Sequence, residues 1–297
     1  MRNLKVYQGG KPIEADAITT EMLFSHSYLT SVFLPYKSLP VETRSISRSS
    51  GDITLRLKAG ELPSARDPRE LVPQPLPTGA KARLILLHLS SRAVKLRSAR
   101  VELEASMTAF ADELGMATCS RSMKRLQAQV RAMSCVDLEI RRDDGERLEM
   151  FRGPLFSRFE ASYPRDRRQT LLFPDYVQFS TEYYESLITK AVPISREMLV
   201  EVQTSARAID LLLWASRRLP QVLPGRAVKI KWTSLRWAFG DRNNNMDTFK
   251  RQFKTALRKL KVVYPAANIE LVRGGVVIRN SPPAVAFKYK RKEGLIV

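Results

Sequence analysis

Residues 247–261 hold the densest group of side chains with a chemical capability. Phe249, Phe253, Leu257 and Leu260 recur at helical spacing and define one apolar face. Lys250, Arg251, Lys254, Arg258 and Lys261 lie toward the other side, with Thr255 among them. Long cationic side chains on one helix face can reach phosphates or the acceptor edge of guanine, and a short Thr allows close approach to bases. A solvated basic face on a structural helix would show the same pattern. The context favours binding: between Arg226 and Lys261 there are eleven basic residues and two acidic ones, with Arg236 and Arg242 among the basic group.

A weaker copy lies at 120–134. Met123, Leu126, Val130 and Met133 form an inner face, and Arg121, Lys124, Arg125 and Arg131 lie outside with no acidic residue between Ser120 and Ser134. Hairpin tips after each helix would add Arg273 and Arg279 in the second half, and Arg141, Arg142 and Arg147 in the first. Such tips touch phosphates or the minor groove. Lys288, Lys290, Arg291 and Lys292 make a basic tail.

Catalytic patterns are thin. Tyr183-Tyr184 is the kind of pair that nicks DNA beside a metal-bound His cluster, but His26 and His88 stand alone. Gly9-Gly10-Lys11 runs into Pro12, so no phosphate-cradling GxxxxGK[ST] loop forms. Cys119 and Cys135 lack the paired spacing of a zinc site. Asp143-Asp144 reads as a turn. Trp214, Trp232 and Trp237 read as core residues on apolar faces or strands. The expectation is a binding protein, not an enzyme, with no cofactor and no metal.

Bulk composition agrees. The chain has 297 residues, enough for two domains, and a formal net charge of +20 from 50 Lys plus Arg against 30 Asp plus Glu. An excess of this size calls for a polyanion. No run of about 18 apolar residues exists, so no membrane span is expected, and two cysteines do not make a disulfide framework. Nucleic acid is left as the leading partner, in a cytoplasmic setting.

These residues must be held by ordinary elements. Ile53, Leu55 and Leu57 alternate with polar residues beyond the turn Ser50-Gly51-Asp52, so a hairpin with Thr43–Arg48 is expected. Residues 59–79, with five prolines, read as linker. Ala80–Val94 reads as an apolar helix and Val101–Leu103 as a short extended piece. Ser106 caps a short helix ending at Gly115, a basic helix spans 120–134, and strands Val136–Ile140 and Arg147–Phe151 flank Asp143-Asp144-Gly145. Pro154 to Pro174 reads as irregular. In the second half, helices are expected at Ser195–Gln203 and Ala206–Leu219, and a strand carries Val228, Ile230 and Trp232. Thr233 caps a helix Ser234–Phe239, the basic helix starts at Asp247, and strands surround Arg273-Gly274-Gly275.

The order helix, short helix, basic helix, hairpin thus occurs twice. The expected fold class is α+β: two tandem winged-helix domains at 76–160 and 176–285, preceded by a short β-rich N-terminal segment with its Pro-rich linker (1–75), joined by a linker at 161–175 and followed by the basic tail (286–297).

Several local patterns together resemble the plasmid-encoded RepA replication initiators. They are Leu76-Pro77-Thr78-Gly79-Ala80-Lys81-Ala82-Arg83-Leu84, Ser106-Met107-Thr108-Ala109-Phe110 with Leu114-Gly115, and Gln129. They continue with Val192-Pro193-Ile194, Ala208-Ile209-Asp210-Leu211 with Trp214, Arg218-Leu219, Trp232, Leu235, Phe239-Gly240, Phe249 to Phe253, Tyr264-Pro265 and Ser281-Pro282. The resemblance covers about residues 30–285 and departs at Thr78, where an aromatic is frequent. It implies a protein that binds direct repeats (iterons) in double-stranded plasmid origin DNA, helps to open it, and recruits host DnaA, replicative helicase and primase, with a homodimer in some roles. The place of action would be the bacterial cytoplasm, beside the plasmid. Alternatives are a transcriptional repressor without an initiation role, a Tyr-dependent origin-nicking enzyme, and an RNA-binding protein.

Overall fold

In the computed structural model of the chain the described residues are 22–64, 67, 69–161, 173–240 and 245–285, with two further strands, β1 (Val6–Gln8) and β2 (Lys11–Ile13), that pair with each other. The expected linker at 161–175 and the basic tail fall largely or wholly outside these residues.

Strand β3 (Met22–His26) is buried along its whole length, and a 3-10 turn at Ser27–Thr30 follows it. Strands β4 (Ser45–Ser50) and β5 (Ile53–Lys58) form the expected hairpin around Gly51, whose φ of +60° suits glycine. Ile53, Leu55 and Leu57 all point into the core. Residues 59–79 are not a bare linker. Strands β6 (Glu61–Pro63) and β7 (Leu71–Pro73) pair there, with prolines confined to strand ends and an isolated two-stranded ribbon that tolerates them.

Helix α1 (Gly79–Leu96) runs through the centre of the molecule and buries twelve residues. Strand β8 (Arg100–Glu102) leads to α2 (Met107–Glu113), where Ser106 Oγ accepts from the Ala109 N–H at 3.1 Å, and then to α3 (Ser120–Ser134). Strands β9 (Asp137–Asp143) and β10 (Leu148–Pro154) form the first long hairpin. Strand β5 pairs with β9, so the sheet order is β10-β9-β5-β4, and the N-terminal hairpin and the first-half hairpin share one sheet.

The stretch expected to be irregular after Pro154 contains β11 (Phe156–Ala161), and β12 begins at Pro174 (Pro174–Phe179). Two register shifts between these strands break the alternation that would have marked them. Strand β12 also pairs with β8, so β8 joins this sheet and not the β9–β10 hairpin. Helix α4 (Thr181–Thr189) and strand β13 (Ala191–Ser195) follow, and β13 pairs with β3 over five residues. The chain's N-terminal strands are therefore shared between both halves.

Helices α5 (Arg196–Val202) and α6 (Ala206–Arg218) begin at Ser195 and Ser205, whose hydroxyls accept from Met198 N and Ala208 N. Strand β14 (Ala227–Lys231), α7 (Trp232–Phe239), α8 (Met246–Val263), β15 (Ile269–Val272) and β16 (Gly275–Arg279) complete the elements among the described residues, with the sheet order β14-β16-β15. Trp232 opens α7 instead of ending the strand, and Thr233 makes no cap: Lys231 stands at the N-cap without a side-chain bond. The overall class is mixed α+β. Among the described residues no helix is long and apolar enough to cross a membrane.

Candidate nucleic-acid interface

Helix α8 is pinned from below. Phe249, Phe253, Ala256, Leu257 and Leu260 are buried, and Phe253 meets Phe239 and Trp232 edge-on at 5.6 Å between ring centres. Such burial contributes roughly 1.5–3 kcal/mol per large apolar side chain. Asn245 caps the first turn, its Oδ1 accepting from the Thr248 N–H at 2.8 Å. An amphipathic period with a cap at one end accounts for this helix from its own sequence.

The opposite face is cationic. Arg251, Lys254, Thr255, Arg258 and Lys261 are exposed and Lys250 half-buried. Lys250 lies 3.5 Å from Asp247. Thr255 Oγ1 donates to the Arg251 carbonyl at 3.1 Å, and Arg258 Nη2 donates to the same hydroxyl at 3.2 Å. These two bonds tie the Arg258 guanidinium back onto the helix surface, toward the preceding turn. A groove of about 820 Å³ runs between this row and Glu270 and Leu271 of β15.

Around α8 the other candidates divide. Arg273 is exposed at the hairpin tip, beside Gly274 at φ +90°. Arg279 is paired across the hairpin with Glu270 at 2.8 Å. Arg236 is half-buried on α7, and Arg242 lies outside the described residues. Trp237 is not a core residue: it is 70% exposed, because Leu235, Ala238 and Phe239 take the inward positions of α7.

On α3, Arg121, Lys124 and Arg125 are exposed. Arg131 is engaged within the fold, its Nε donating to Gln74 Oε1 at 3.2 Å. Lys81 reaches from α1 to Ser122 Oγ at 2.9 Å; burial, and then the charge of Arg125, hold its ammonium below the ordinary Lys range. Positive potential is thus concentrated where α3 begins. In the first hairpin Arg142 is paired with Asp52 at 2.7 Å, while Arg141 and Arg147 are exposed.

The residues weighed for catalysis are placed differently. Tyr183 is fully buried, stacked 5.1 Å from Phe179, and burial raises its phenol well above the usual range. His26 is buried beside it, and His88 sits on α1 with its Nε2 3.5 Å from Glu104. Among the described residues no three His, Cys, Asp or Glu side chains are grouped to hold a metal ion.

Sequence reasoning missed a buried polar layer beneath α8. Arg207 of α6 donates to the Phe239 carbonyl and, at 2.8 Å, to Gln252 Oε1 of α8. Charged residues inside an apolar helix were the available signal.

The architecture is that of known proteins. The chain matches a crystal structure of domains 2 and 3 of RctB with a TM-score of 0.53 at 10% identity, over 86% of this chain and 98% of that one. A second structure of RctB domains 2–3 matches at a TM-score of 0.47 and 9% identity, over 84% and 94%. No curated protein matches the chain in sequence. An α+β fold shared with RctB domains 2 and 3, carrying a cationic helix on an apolar base, defines the class. Residues 76–237 match the family described as plasmid encoded RepA protein. The chain belongs to that family of RepA-type replication initiators.

Proposed function

We propose that this initiator binds direct repeats in double-stranded origin DNA, with α8 as the main reader of base edges. The observation that carries the reading is the cationic face of α8, seated on Phe249, Phe253 and Leu257 and followed by a glycine-turn hairpin. The order α6, β14, α7, α8, β15, β16 with β14 against β16 supports a winged-helix reading, on which the last helix would enter the major groove and the hairpin would touch the backbone. We read the first half, from α1 to β10, as a second winged helix with altered sheet pairing. Its Arg121, Lys124 and Arg125 contribute backbone contacts.

On this reading the protein acts by binding and not by catalysis. Buried Tyr183 supports that view against a nicking enzyme. The site would cover about two helical turns, and distortion at flexible steps would aid opening of the origin. DnaA, replicative helicase and primase are the host partners the family resemblance brings, in the bacterial cytoplasm beside the plasmid.

A homodimer fits the free edge of β10. Leu148 and Met150 are 61% and 58% exposed there, on the side opposite Phe151. An antiparallel copy laid along β10 would bring Leu148 and Met150 of the two chains together on one exposed face, a favourable apolar cross-strand contact.

The test is a DNase footprint over the DNA flanking the gene, at two salt concentrations. Regularly spaced protection that persists at higher salt is expected. Diffuse binding that collapses as salt rises would mean a non-specific backbone binder and overturn the reading. Loss of replication on deleting the protected repeats separates an initiator from a simple repressor.

A further inference from the structure

The base contacts proposed for α8 depend on where that helix sits, and one buried side chain bonds it to the elements around it. Arg207, in the first turn of α6, is 8% exposed. One arm of its guanidinium donates to the carbonyl of Phe239, the last residue of α7, and the other donates to Gln252 Oε1, two turns into α8, at 2.8 Å. Its Cζ lies 4.1 Å from the centre of the Tyr36 ring, and the Arg83 Cζ lies 4.8 Å from the same ring. Arg83 is in turn bonded to Asp210, one turn along α6 from Arg207. The end of α7 has no slack: a Cβ at Gly240 would stand 2.2 Å from the Arg236 carbonyl.

We propose that Arg207 is a positioning residue for DNA recognition: by bonding the end of α7 and the body of α8 at once, it fixes the register of the reading helix. This rests on the reading of α8 given above. A planar fork satisfies two acceptors in fixed directions, which a lysine ammonium cannot do. A desolvated guanidinium also tolerates no unmet bond cheaply, so a small shift of α8 is resisted. Base-edge contacts need that register, whereas phosphate contacts survive a small displacement. The role therefore acts on specificity and not on affinity in general.

The experiment uses the full chain and two duplexes of equal length, one carrying the footprinted repeat and one scrambled. Affinities are measured at two salt concentrations for wild type, Gln252→Ala, Gln252→Glu and Arg207→Lys, with Tm recorded for each. Gln252 is half-buried, so its variants keep the proposal testable where Arg207→Lys fails to fold. Gln252→Ala and Arg207→Lys should lower the specific-to-scrambled ratio by about tenfold, with scrambled affinity and its salt slope unchanged. Gln252→Glu should keep the ratio, because a carboxylate accepts from the same guanidinium. An unchanged ratio in Gln252→Ala, a parallel fall of both affinities, or a loss in Gln252→Glu would each overturn it. A wild-type chain that does not distinguish the duplexes would overturn the parent reading, and this one with it.

Discussion

Arg83 and Asp210 stand 127 positions apart and meet in a two-pronged buried ion pair, Nε to Oδ1 at 2.6 Å and Nη2 to Oδ2 at 2.7 Å. The pair bolts α1 of the first half to α6 of the second. Burial alone would weaken the guanidinium's hold on its proton, but Asp210 outweighs it and the Arg83 pKa lies above its ordinary value. Arg83 also donates to the carbonyls of Leu34, Pro35 and Gly79. Asp210→Asn, by leaving a buried cation uncompensated, should cost roughly 3–5 kcal/mol in urea unfolding. Replacing both partners, Arg83→Met with Asp210→Leu, should recover only part of this, because the buried Leu34 carbonyl loses the Arg83 donor.

Lys254→Ala and Arg258→Ala should each weaken binding to the protected repeat by about 1–3 kcal/mol where the side chain reads a base. The two kinds of contact separate by salt. Loss of a base contact relaxes sequence preference, whereas loss of a phosphate contact reduces the salt slope by about one. Arg69→Ala, an exposed charge on the β6–β7 ribbon, should change neither quantity. Unchanged affinity in both α8 variants would take the helix out of the interface.

For the proposed dimer, Met150→Lys places a charge on the exposed face of β10 without touching the core side of the strand. It should shift the chain toward monomer in sedimentation at micromolar concentration, since edge lysines oppose strand pairing. A wild-type chain that stays monomeric at high concentration refutes the edge as a contact.

What the sequence made legible was amphipathic periodicity bounded by caps. Helix α3 begins and ends at Ser120 and Ser134 as expected, α8 lies within a few residues of its predicted span, and both hairpins stand where glycine turns announced them. The failures have equally physical causes. Strand β3 is buried at all five positions, so it offers no alternation, and the bulged pairing of β11 with β12 erases the period of two. Trp237 was misplaced by residue type although the helical period of Leu235, Ala238 and Phe239 points it outward. Charges inside an apolar helix mark Arg207 and Asp210, but their partners come from α8 and α1, and no local pattern reports a contact across 45 or 127 positions.

His26 makes the fold sensitive to acid. Its ring is buried between Tyr28 and Tyr183, Nδ1 accepts from the Tyr28 N–H at 3.2 Å, and Nε2 lies 3.0 Å from Ser186 Oγ. Burial first, then the charges of Lys190 and Arg217, lower its pKa from 6.5 to about 3. The unfolded chain therefore binds a proton below 6.5 that the folded chain refuses, so this group's contribution is full above pH 6.5 and is lost as pH falls toward 3. Between pH 6.5 and about pH 5 that loss amounts to roughly 2 kcal/mol. Glu149, bonded to Tyr28 and Lys190, is held below the ordinary Glu range despite burial, so its own loss begins at lower pH. Urea unfolding at the two pH values should show the drop in wild type. In His26→Asn the fold should be weaker at neutral pH, yet the drop between the two values should shrink markedly. An equal drop in both proteins would assign the acid sensitivity to other groups.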